Sequence, residues 1–120
     1  MRLRITVPVL GVPYTIKSGT SVDFPILAES DGCCDTTIKE IIVSDMTEAE
    51  KAPDAKGDLT DYQRKVIRHE LIHAFLFECG LSCGSPWAED EEMVNWLAIQ
   101  FPKLKDLFES IEFLTGKEGD

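Results

Sequence analysis

The chain has 120 residues, with 22 acidic against 12 basic side chains and a net charge of −10. That length suits one domain around one core, and that charge works against binding nucleic acid or an anionic membrane through bulk electrostatics. No apolar run approaches the roughly 20 residues of a membrane span, so the charge reads first as a solvated surface.

Residues 1–45 read as β-rich. Leu3, Ile5, Val7 and Val9 alternate with Arg4, Thr6 and Pro8, the period of two expected of a strand with one buried face. The stretch is too short and interrupted for a secretory signal and lacks a small-residue cleavage site, so the expected location is cytoplasmic. Gly11-Val12-Pro13 supplies a turn, and Tyr14-Thr15-Ile16-Lys17 alternates again before Ser18-Gly19, which predicts a β-hairpin. Phe24-Pro25-Ile26-Leu27 reads as a short edge strand, where proline is tolerated, and Ser30-Asp31-Gly32 as a turn. Thr37 to Val43 is β-branched and apolar and predicts a further strand ending near Ser44-Asp45. Residues 46–58 read as a solvated connector.

From residue 60 the pattern becomes helical. Thr60-Asp61-Tyr62-Gln63 matches a capping box with Thr60 as N-cap, and Asp61 suits the positive end of the helix dipole. Arg64, Lys65 and Arg68 form a wet stripe, while the second half, through Ala74-Phe75-Leu76-Phe77, is apolar nearly all round and predicts a helix inside the core. Gly80 is placed to end it. A second helix is predicted from about Trp87 to Phe101, broken by Pro102, and a third from Leu104 to Leu114 with Leu107, Phe108 and Ile111 on one side. Gly116 to Asp120 reads as a frayed polar tail. The expected fold is α+β: a small antiparallel or mixed sheet followed by three helices, in a single domain over 1–120, helical over 59–115.

Both histidines of the chain lie in His69-Glu70-Leu71-Ile72-His73. This HExxH spacing stacks two imidazoles on one helical face to hold zinc, with the glutamate beside them as general base. A hydrolytic zinc site needs a third protein ligand besides water, and with no histidine left it must be a carboxylate or a thiolate. Cys33-Cys34 are adjacent and Cys79 and Cys83 stand three residues apart, neither being the spacing of a structural zinc site, so free thiols are the default. The next helix offers Glu91, which shares a stripe with Val94, Ala98 and Phe101, the side due to pack on the first helix. Glu92 falls one position round and is the second choice. Asn95, four residues after Glu91, is placed to accept a hydrogen bond from the far nitrogen of a ligating histidine.

HExxH followed on the next helix by a glutamate and, four residues later, Asp or Asn resembles the gluzincin metallopeptidases. The leading β segment and Glu91-x-x-Val94-Asn95-x-x-Ala98 are most similar to the ImmA/IrrE-type group and related small phage or prophage proteins, over roughly residues 36–101. The resemblance implies a zincin-like fold with one Zn2+ held by His69, His73 and Glu91. It also implies Glu70 as the general base in hydrolysis of a peptide or protein substrate. The strand at Ile38–Val43 would edge the cleft and hold an extended peptide by strand addition. Tyr62 and Tyr14 are the tyrosines available as an oxyanion donor, without a spacing to select either. The sequence departs from the family in having Val94 where alanine is common. Nor do these residues include the further DNA-binding or regulatory domain that many members carry.

Plainer readings exist for each feature. The two histidines could sit on an ordinary helix with Glu70 paired to Arg68, and Glu91 could be one of several acids that favour a helix N-terminus. A non-catalytic zinc-binding regulatory or interaction protein, using the same residues as a clamp, is the main alternative to a peptidase.

Overall fold

In the computed structural model, which describes residues 3–116, the alternating start of the chain folds as an antiparallel hairpin of β1 (Arg4–Val9) and β2 (Val12–Gly19). Leu10 and Gly11 make its two-residue turn with φ of 50° and 84°, the paired positive angles of a type I′ hairpin. Met1, Arg2 and the tail residues 117–120 lie outside the described residues. Two more strands, β3 (Gly32–Asp35) and β4 (Glu40–Ser44), complete a mixed sheet in the order β1-β2-β4-β3. β4 runs parallel to β2 and antiparallel to β3.

This order corrects the expected edges. Ile38 lies exposed in the turn before β4, and β4 itself is interior, with Ile41 and Val43 fully buried. Phe24–Leu27 is no edge strand either. Pro25–Ala28 is a single 3-10 turn, started by a proline that cannot donate to a ladder and preceded by Thr20, whose N–H donates to Asp23. The outer strand on that side is β3, at residues whose glycine and cysteines carry no strand pattern.

Two helices follow the sheet, not three, and the first of them packs on it. The first, α1 (Leu59–Glu78), begins one residue before the expected cap. Asp58 is its N-cap and accepts the Asp61 N–H at 3.0 Å. The second, α2 (Glu91–Leu114), follows a 3-10 turn at Pro86–Glu89 that takes up Trp87, and Asp90 caps it by accepting the Glu92 and Met93 N–H groups. Pro102, expected to break the helix, lies inside it. Proline has no N–H for the carbonyl four residues back, which is that of Ala98. Arg68 supplies the missing donor: its Nε donates to the Ala98 carbonyl at 2.8 Å. The orphaned acceptor is satisfied from α1, and the helix continues.

The core lies between sheet and α1, where Tyr14, Ile16, Ile41 and Val43 meet Val66 and Ala74. A second cluster of Leu76, Ala88 and Val94 joins α1 to the start of α2. The apolar half of α1 is not enclosed all round, since Phe75 is half exposed. Its last turn is tied to the sheet by Glu78, which accepts from Tyr14 Oη at 2.6 Å and pairs with Lys39 at 2.7 Å. Lys39 and then Tyr14 hold that carboxyl below its ordinary value, offsetting its unfavourable place at the negative end of the helix dipole. Among the described residues no helix is long and apolar enough to cross a membrane.

Replacing Arg68 by Met keeps the aliphatic stem but leaves the Ala98 carbonyl without its donor. Urea unfolding should show a loss of about 1–3 kcal/mol, the usual range for a buried acceptor left unpaired. A midpoint equal to that of the wild type would contradict the role given to Arg68.

Candidate metal centre

The HExxH stretch falls in the middle of α1, on the side turned toward the first turn of α2. Helical spacing stacks His69 above His73, with ring centroids 4.9 Å apart. Glu91, the first residue of α2, reaches back between them. Its Oε1 lies 2.9 Å from His69 Nε2 and 3.0 Å from His73 Nε2. One ligand atom from each of the three residues lies within 4.8 Å of the others. Ligand atoms held tetrahedrally about 2.0–2.1 Å from zinc stand roughly 3.3 Å apart, so the two nitrogen–oxygen spacings are near what such an ion needs. The donor set, two imidazoles and a carboxylate, also fits the chemistry of a catalytic zinc site.

Glu92, the other acid weighed from the sequence, is exposed and joins neither histidine. Burial works to raise the Glu91 carboxyl, but hydrogen bonds from His73 and then His69 outweigh it and hold the group below its ordinary value. Asn95 does not serve as expected. Its Oδ1 accepts from Lys65 Nζ at 3.3 Å, which ties α2 to α1 beside the histidines. Lys65 and Arg68 are thus half-buried ties to α2 and not a wet stripe, which leaves only Arg64 exposed.

Glu70 stands out on the other flank. It is 8% exposed and makes no hydrogen bond or ion pair among the described residues. Burial pushes its carboxyl up to about 7, with His69 pulling it down and the Glu91 charge raising it. A buried acid without a partner is costly to keep and is characteristic of functional sites.

What buries it is a residue that sequence reasoning placed in a turn. Gly32, at the start of β3, faces α1 so closely that a Cβ there would lie 2.7 Å from Val66 Cγ1 and 3.2 Å from Glu70 Oε2. No local signal in Ser30-Asp31-Gly32 marks that contact. It depends on the helix lying against the strand.

Two openings flank the His69, His73 and Glu91 group. One, of about 240 Å³, is lined by Asp31, Gly32, Tyr62, Lys65 and Glu70, and the other, of about 300 Å³, by Cys34, Thr36, Phe77 and Glu89. β3 runs along both. The Ser44 N–H donates to the Asp31 carbonyl, so the alternation of an antiparallel ladder turns the backbone groups of Gly32 and Cys34 to the outer edge. Ser30 Oγ donates to the Gly32 carbonyl at 2.7 Å, which leaves the Cys34 groups as the edge's open donor and acceptor. Of the two tyrosines, Tyr14 is fully buried on Glu78, while Tyr62 lines the first opening with its hydroxyl donated to Asp31.

The four cysteines are free thiols and none joins the histidines. Burial, with Glu70 nearby, pushes the Cys34 thiol up to about 12, which keeps it protonated.

No family model matches the chain, and neither a curated protein nor a solved structure matches it.

Gly32→Ala should force Val66 and Glu70 aside and destabilise the fold by about 1–3 kcal/mol, as overpacking does. Chemical unfolding measures this, and an alanine variant as stable as the wild type would show that β3 and α1 are not in such close contact.

Proposed function

We propose that the chain is a zinc-dependent metallopeptidase of the minimal gluzincin kind, zincin-like in its arrangement and similar to the small ImmA/IrrE-type phage proteins. The observation that carries this reading is Glu70, a buried carboxylate with no hydrogen bond, next to two imidazoles that converge on a third-ligand carboxylate. A purely structural site has no use for that acid.

In this reading His69, His73 and Glu91 hold one Zn2+. When bound, the ion supplies a Lewis acid that activates water and polarises a peptide carbonyl. Glu70 accepts the proton of the attacking water at a carboxylate oxygen and returns it to the leaving amine nitrogen. Its raised pKa in the metal-free protein suits both halves of that exchange, and the positive charge of a bound ion would draw it back toward the ionised form. The outer edge of β3 takes the part assigned from the sequence to Ile38–Val43. The Cys34 N–H and C=O would pair with an extended peptide segment as an added strand, leading it past the histidines. The substrate is thus a peptide or an extended segment of a protein, met in the cytoplasm of a bacterial host if the chain is phage-encoded.

One feature favours the alternative, a non-catalytic clamp used by a regulatory or interaction protein: the three ligands join α1 to the first turn of α2. The two readings part at Glu70. Glu70→Gln should retain one zinc per chain and lower peptide hydrolysis by about 10²–10⁴-fold, the usual contribution of a general base. His73→Ala should lose the zinc. The assay is cleavage of a mixed peptide library read by mass spectrometry. Equal cleavage by wild type and Glu70→Gln would sink the peptidase reading and leave the clamp.

A further inference from the structure

Among the described residues nothing packs on the outer half of α2. Every residue from Lys103 to Gly116 is exposed, although Leu104, Leu107, Phe108 and Ile111 recur there at helical spacing. A helix of this length is marginal in water without a partner, and at its root Pro102 removes one intrahelical hydrogen bond. The apolar positions continue a seam from the inner half: Val94, Leu97, Phe101, Leu104, Phe108 and Ile111 follow one another at three- and four-residue steps.

Beside the inner part of that seam lies an apolar groove of about 600 Å³ between α1 and α2. Leu71, Phe75, Leu81, Trp87, Leu97 and Phe101 wall it, and Phe75 and Trp87 are about half exposed, at 48% and 56%. Among the described residues none beyond Phe101 lines this groove, so the chain does not fill it with its own arm. An arm and a groove of matching chemistry on one chain satisfy each other when two copies meet about a two-fold axis. Placed across α2 near Pro102, that axis sets the two seams antiparallel and lays each arm in the other copy's groove. The apolar side chains on arm and groove expose on the order of 1,000 Å² per copy, or about 2,000 Å² for the pair, which reaches the upper range for stable specific interfaces.

We propose that this chain forms a two-fold dimer in which residues 103–114 of each copy lie in the groove between α1 and α2 of the other. None of His69, Glu70, His73 and Glu91 lines that groove, so the dimer is independent of the peptidase reading.

Sedimentation velocity over micromolar to submillimolar concentrations tests it, with far-UV circular dichroism to check that each variant is folded. Phe108→Asp lies on the arm and Phe75→Asp in the groove. Both side chains are about half exposed, so the monomer should tolerate either change. Trp87→Ala is the replacement groove variant if Phe75→Asp disturbs α1. The wild type should be a dimer, and each substitution alone should weaken it by about tenfold or more, as loss of a central apolar contact does. A wild type that stays monomeric throughout would overturn the proposal. So would a dimer insensitive to the groove variant, which would mean that the arms pair only with each other, or one insensitive to the arm variant.

Discussion

At Gly32 the outer strand of the sheet comes so near α1 that no side chain fits between them, and the whole site is arranged around that contact. Close approach of β3 buries most of Glu70 on one flank of the HExxH face, while the His69 and His73 side chains stay somewhat more exposed, at 17% and 20%. One helix face thus presents two kinds of group, imidazoles that line both openings and a nearly buried acid at the edge of the first. The same contact fixes the free edge of β3 alongside the histidines, where an extended chain could be led through.

The other wall of the site is α2, held on α1 by polar ties as well as by the fully buried Val94 and Ala98. Asp90 caps its first turn, which sets where the helix starts and places Glu91 at its first position. Lys65 to Asn95 and Arg68 to the Ala98 carbonyl then hold two successive turns of α2 against α1. The second of these ties exists because Pro102 frees the carbonyl. A residue that would ordinarily end a helix here gives the neighbouring helix an acceptor to grip, and α2 extends beyond the domain with its apolar seam uncovered.

The parts of the molecule legible in the sequence are those set by short-range periodicity. The hairpin follows from alternation at Leu3–Val9 and Tyr14–Lys17, α1 from its cap and apolar run, and the facing of Glu91 toward the histidines from its stripe with Val94 and Ala98, both fully buried. What stayed hidden depends on contacts between distant segments. Gly32–Asp35 has no strand pattern, because a glycine packed under a helix and two cysteines do not alternate in polarity. Pro102 reads as a breaker because the arginine that relieves it lies on another helix. Asn95 could be placed on the correct side of α2, but nothing in its spacing told whether a histidine or Lys65 would reach it first.

The central claim, that His69, His73 and Glu91 form one zinc site, is tested most directly by X-ray absorption spectroscopy of the zinc-loaded full chain. The account predicts one zinc per chain with only nitrogen and oxygen neighbours at about 2.0–2.2 Å, and the outer-shell scattering of two imidazoles. Sulfur neighbours at about 2.3 Å would assign the metal to the cysteines. Either that result or protein that takes up no zinc would contradict it.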